Sequence, residues 1–194
     1  MTTRTLPFEC QRGVGLIEIL VTLVLLMVGL LGLVGVMVQS QRAQLESYER
    51  VQALLLAQDM VGRLSSNRAA ASCYAITAVT GDAPSLGTGS AVTPACDVGT
   101  ASQQATAVAD LNEWSALLTG AAEVASGSNV GAVLGARGCI HVVSPNLYQV
   151  SVAWQGNSAN AASPPDAMPC GKDLYGADTL RRVVSLRVQI VLLS

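Results

Sequence analysis

From Val14 to Val38 the chain carries one charged side chain, Glu18, and one other polar side chain, Thr22. These 25 residues, at ~1.5 Å rise each, make a helix of roughly 37 Å, enough to cross a hydrocarbon core of ~30 Å. Such a run has no polar face to turn to water, so lipid or other apolar helices must cover it. The carboxylate is out of place in either setting. A Glu inside hydrocarbon costs on the order of 3 kcal/mol even on lenient insertion scales, so its presence calls for a partner.

Three readings of the run differ in what they do with Glu18. A secretory signal peptide has a shorter apolar core and ends in a small-residue cleavage site. This core is longer, and Val36-Met37-Val38-Gln39-Ser40-Gln41 offers no such site. A plain bitopic anchor leaves Glu18 near enough to the interface to reach water. The third reading places a cut between Gly13 and Val14. Residues 1–13 then stay in the cytoplasm, with Arg4 and Arg12 on the side that the positive-inside rule favours. The new amino group of Val14 stands one helical turn from Glu18. In an assembly of such helices the carboxylate of one subunit neutralises the amine of its neighbour. Two buried charges disappear together, and Glu18 becomes a docking residue.

The segment Gly13-Val14-Gly15-Leu16-Ile17-Glu18-Ile19-Leu20-Val21-Thr22-Leu23 resembles the N-terminal signature of type IV pilins and the related pseudopilins. Members carry a short leader ending in Gly, an apolar first mature residue, a Glu shortly after the cut and a hydrophobic helix. The resemblance implies that a membrane-embedded prepilin peptidase cleaves after Gly13 and N-methylates Val14. Three positions depart from the usual pattern: Val14 stands where Phe or Met is more common, Gly15 where Thr or Ser is common, and Glu9 dilutes the positive leader.

Length and charge fit one anchored domain. The chain has 194 residues and a net charge of −2; loss of Arg4, Arg12 and Glu9 with the leader makes it one unit more acidic. No basic patch is present, which argues against nucleic-acid binding as a main role. Of five cysteines, Cys10 lies in the leader. Cys73, Cys96, Cys139 and Cys170 remain, and in a periplasmic domain they form two disulfides with three possible connectivities. The sequential pattern, Cys73 with Cys96 and Cys139 with Cys170, is the simplest and is the expectation. Each bridge closes a loop worth ~3 to 4 kcal/mol in the chain-entropy model. A metal site requires paired Cys-x-x-Cys spacings, and none exists, so no metal or cofactor is expected.

Beyond the apolar run the helix is expected to continue to about residue 65. Leu45, Tyr48, Val51, Leu55, Met60, Val61 and Leu64 recur at three- and four-residue steps, with Arg42, Glu46, Glu49, Arg50 and Asp59 on other faces. This predicts a stalk packed on the domain in preference to a coiled coil, whose heptads are not sustained. Gly29, Gly32 and Gly35 suit close helix–helix approach better than unwinding. Residues 80–102 read as a long loop. A second helix over 102–118 is expected to pack Leu111, Trp114, Leu117 and Leu118 and to turn Asp110, Asn112 and Glu113 outward. Strands are expected at 139–143, 147–154 and 181–191; Tyr148, Val150, Val152 and Trp154 alternate as on a sheet with one buried face. A loop over 155–179 is tethered by Cys170.

This layout resembles the type IV pilin fold, an α+β architecture. A long helix with a transmembrane first half packs on a small antiparallel β-sheet head with disulfide-bounded loops. Arg137-Gly138-Cys139-Ile140, Tyr148-x-Val150-x-Val152-x-Trp154-Gln155-Gly156, Cys170-Gly171 and Arg181-Arg182-Val183-Val184 are further similar to the PilV class of minor pilins. The divisions implied are a leader (1–13), a membrane or filament-core helix (14–38), an amphipathic periplasmic half-helix (39–65) and a periplasmic head (66–194). The implied partners are other minor pilins, the major pilin, prepilin peptidase, the inner-membrane assembly platform and the lipid bilayer. The implied location is the inner membrane in a single pass, and the pilus filament or tip after assembly. A type II secretion pseudopilin and an anchored periplasmic binding or sensor module are the alternatives. Catalysis is not expected: the only histidine, His141, is read as a strand residue near the surface, beside a cysteine that an oxidised pair deprives of its thiolate.

Overall fold

The computed structural model describes residues 15–129 and 131–191, so the expected leader, Gly13 and Val14 lie outside the described residues. The element order is α1 (Leu16–Ser66), β1 (Leu86–Gly87), α2 (Ala101–Leu118), a small hairpin of β2 (Val124–Ala125) and β3 (Ser128–Asn129), β4 (Arg137–Ser144), β5 (Leu147–Gln155) and β6 (Arg181–Gln189). A 3-10 segment, Arg68–Tyr74, follows α1. The chain divides into two units, Met1–Gln44 and Leu45–Ser194.

In the first unit the described residues are the apolar part of α1. Its large apolar side chains from Leu16 to Val38 are 43–78% exposed. A Cβ added at Gly29, Gly32 or Gly35 would meet nothing within 4 Å. This segment is long and apolar enough to be a single membrane span.

The second unit is an α+β head. Its sheet is antiparallel in the order β1-β4-β5-β6. The helix face that packs on it matches the expected stripe at Met60, Val61 and Leu64 and departs from it before them. Ala53, Ala57, Met60 and Leu64 are fully buried, whereas Leu45, Tyr48, Val51 and Leu55 are 54–65% exposed. Hydrophobicity alone selects the larger side chains, but the contact is made by alanines because α2 comes close. The Trp114 indole N–H donates to the Leu56 carbonyl of α1 at 2.9 Å, a distance that bulkier residues on this face would hold open. The same i, i+4, i+7, i+11 spacing recurs on α2, where Ala107, Leu111, Trp114 and Leu118 are buried. A capping box starts α2: the Gln103 N–H donates to Thr100 Oγ1 and the Thr100 N–H donates to Gln103 Oε1.

β5 also departs from expectation. Tyr148, Val150, Val152 and Trp154 are buried, but so are Gln149, Ser151 and Ala153 between them. The 156–180 loop closes over the second face, held by the Cys139–Cys170 disulfide and by a 3.1 Å hydrogen bond from Gln149 Nε2 to the Ala167 carbonyl. Both disulfides follow the sequential pairing, with Cα separations of 5.1 Å for Cys73–Cys96 and 5.8 Å for Cys139–Cys170. Inside the expected 80–102 loop, β1 pairs Leu86 with Gly138 and Gly87 with Arg137.

Gly138 shows how tight the junction is. An added Cβ would lie 2.3 Å from the Trp114 ring and 2.7 Å from Leu118. Gly138→Ala is therefore expected to destabilise the head by about 1–3 kcal/mol through overpacking. Gly62→Ala, in a helix interior with nothing within 4 Å, is expected to stabilise it by about 0.5–1 kcal/mol. Urea unfolding of the two variants beside the parent checks both signs.

Candidate functional site

Glu18 lies in the first turn of α1 and is exposed. Its backbone N–H donates to the Gly15 carbonyl at 3.0 Å. A carboxylate there suits the positive end of the helix dipole, but its side chain forms no ion pair among the described residues. Gly13 and Val14, the expected cleavage and methylation positions, lie outside the described residues, so their relation to Glu18 is not drawn.

Within the head, the side chains of Glu46, Glu49, Gln52 and Arg63 tie α1 to other elements. Glu46 accepts from the Arg182 guanidinium at the start of β6. Glu49 accepts from Trp154 Nε1 at 3.3 Å and Asn157 Nδ2 at 3.1 Å, and Gln52 donates to the Gly131 carbonyl at 2.7 Å. Near the helix end, Arg63 meets Glu113 at 2.7 Å, Asp59 at 2.8 Å and Asp110 at 3.1 Å. Asp110 is thus not the outward residue that its helix position implied. It is half-buried, and its second oxygen accepts from the Tyr74 hydroxyl. Burial, then that hydrogen bond, pushes the Tyr74 hydroxyl well up. No sequence periodicity announces this cluster, since its members come from α1, α2 and the 3-10 segment.

Next to the buried Arg182, Arg181 is only 2% exposed. It donates to Asp178 Oδ1 at 2.6 Å and Oδ2 at 3.1 Å, and its Nη1 donates to the Cys170 carbonyl at 3.1 Å and to that of Met168. The Arg181 hydrogen bond holds the Asp178 carboxyl below its usual value. Arg182, Trp154, Glu46 and Arg50 line a polar cleft of about 510 Å³. Its two buried cations, Arg181 and Arg182, donate to protein acceptors through Nε, Nη1 and Nη2.

His141 is buried, contrary to its reading as a near-surface residue, and its Nδ1 has no hydrogen-bond partner. The turn at Gly81 closes over the ring: a Cβ at that position would lie 2.8 Å from it. Burial, with a lesser contribution from Arg187, holds the imidazole below its ordinary value. Its neighbour Cys139 is bound to Cys170, so no thiolate stands beside it. Among the described residues no cluster of three or more His, Cys, Asp or Glu side chains has a metal-binding arrangement.

Scans of family models, of curated proteins and of solved structures find no match to this chain.

Two stability tests follow. Asp178→Ala leaves the Arg181 guanidinium buried without its counter-ion and is expected to cost on the order of 3 kcal/mol, read as a lowered urea midpoint. For His141 the folded-state pKa is depressed, so its contribution is fully present above about pH 6.5 and is lost as pH falls below that value. The depressed carboxyls of Asp178 and Asp82 add a second loss only at lower pH, below about 4. His141→Gln should flatten the first limb of the stability–pH profile and leave the second intact.

Proposed function

We propose that the chain is a type IV pilin-like subunit, specifically a minor pilin of the type IV pilus machinery. In this reading prepilin peptidase removes residues 1–13 and methylates Val14. The apolar helix first holds the protein in the inner membrane and then enters the filament core. The subunit joins other minor pilins in a complex that primes assembly and sits at or near the tip, and it performs no catalysis.

One observation carries this reading: an exposed apolar helical segment whose only charge is a carboxylate in its first turn. A membrane anchor needs no such charge, whereas a subunit docking through a neighbour's amine does. The α+β head, with a long helix, an antiparallel sheet and two disulfides, is compatible with it. A type II secretion pseudopilin shares every one of these features, and lost secretion in place of lost twitching on deletion separates the two.

The intact mass of membrane-extracted protein, with and without prepilin peptidase, tests the class. The expected result is a peptidase-dependent loss of residues 1–13 together with the gain of one methyl group. An unprocessed N-terminus in both samples returns the chain to the anchored binding or sensor module. Glu18→Ala is expected to give a stable, cleaved protein that no longer enters the complex. Normal piliation with that variant as the sole copy would sink the docking role.

A further inference from the structure

The head's sheet has two edges, and the fold treats them differently. At β4 the preceding loop supplies a cover. The Thr77 N–H donates to the Ile140 carbonyl at 3.0 Å, the Ile140 N–H donates to Thr77 Oγ1 at 3.0 Å, and β1 pairs with Arg137 and Gly138. At β6 there is no equivalent. Its ladder to β5 runs from Arg181 to Gln189, and no other described segment hydrogen-bonds to the backbone of residues 182–189.

This bare edge is nine residues long, contains Val183, Val184 and Val188, and has no Pro. Such an edge presents a row of unpaired N–H and C=O groups and is a template for another strand. A groove of about 350 Å³ runs beside it, between Val51 and Leu54 of α1, Met168, and Val183 and Val184 of β6. Its lining is mostly apolar, and the one charged residue in it is Arg50. Arg181 and Arg182 are neutralised by Asp178 and Glu46. Arg50 and Arg187 form no ion pair among the described residues; Arg187 donates only to the neutral Gln149 side chain.

We propose that β6 is a strand-addition site that takes an extended, alternating apolar segment of a partner protein carrying carboxylates to meet Arg50 and Arg187. Main-chain hydrogen bonds supply the pairing, the apolar groove takes alternate side chains, and the two cations set the charge of the partner. A second copy of this chain is the wrong occupant. Its β6 adds another Arg187 and no acid, so it brings no carboxylate to meet Arg50 and Arg187. A lipid headgroup supplies the negative charge but no backbone to pair. The site lies wholly in the Leu45–Ser194 unit and holds whether or not the chain is a pilin.

The test uses the full-length protein in detergent micelles and synthetic peptides matched to the nine residues of β6. One alternates Val and Thr between terminal Glu residues. A second is the same peptide N-methylated at two consecutive central residues, which blocks both of its edges. Hydrogen exchange at residues 183–188 is expected to slow with the first peptide and not with the second. Arg50→Glu combined with Arg187→Glu is expected to weaken binding about tenfold or more, with β5 amides as protected as in the parent. Equal binding of the two peptides overturns strand addition. So does unchanged exchange at β6 with either peptide, or equal protection by phosphatidylglycerol vesicles without peptide.

Discussion

The indole of Trp114 is the point at which both helices and the sheet of the head are held. It projects from α2, donates to the Leu56 carbonyl of α1 and lies against Gly138 of β4. The strand is small where the ring needs room, at Gly138, and the buried α1 positions on either side of Leu56 in the chain are Ala53 and Ala57. A ring this buried is worth ~3–5 kcal/mol relative to Ala, a large share of the stability of a domain this size. Its effect also reaches strands that it does not touch. Gly138 pairs with Val152, and Val152 pairs with Val184, so the position of β4 against the helices sets the register of β5 and then of β6.

The opposite face of the sheet is closed by different means. The 156–180 loop has no strand or α-helix of its own, only a single 3-10 turn at Asp178–Leu180. Its order comes from a few strong ties: the Cys139–Cys170 bridge, Arg181 donating to the Met168 and Cys170 carbonyls, and the Tyr175 hydroxyl donating to the Gly135 carbonyl at 2.9 Å. Burial pushes that tyrosine up to about 12, as befits a phenol locked under a loop. These ties draw the loop over the face of β4 and β5. The outer edge of β6 is left without a backbone partner for the same reason, since the chain that might have paired with it is committed to covering the face.

The elements that rested on long periodic patterns were legible. α1, α2, β4, β5 and β6 fall within a few residues of where three- and four-residue steps or β-branched runs placed them. Two-residue strands such as β1 carry no period and were invisible; they exist because Gly138 and Arg137 offer a ladder, a fact of tertiary structure. The choice of helix face went to Leu45, Tyr48, Val51 and Leu55 because pattern reasoning weighs size, whereas close approach selects alanine. β5 read as one-sided because its polar members are Gln149 and Ser151. Each is in fact buried with a partner, Gln149 with Arg187 and Ala167, and Ser151 with Ser185 at 2.7 Å. His141 read as a surface residue because nothing in the sequence says that Gly81 folds over it. Of the candidate site, the pairing of the four cysteines was legible from their number and order. The Arg63 cluster was not, because its carboxylates and phenol meet only once three elements have packed.

Glu18, Arg50 and Arg187 pose the same physical problem in different surroundings. None forms an ion pair among the described residues; Glu18 and Arg50 stand beside apolar side chains, whereas Arg187 donates to the polar Gln149 side chain. A lone charge weakens apolar burial, and the apolar surface weakens hydration of the charge. The conflict is relieved when a partner brings the opposite charge and the complementary apolar surface together. In the proposed pilin reading the group that matches Glu18 is an amine on an equally apolar helix, a match that a simple anchor does not require. For the two arginines the proposed match is an acidic strand, because a strand also satisfies the open backbone row of β6. The two proposed partners therefore differ in shape, one helical and one extended.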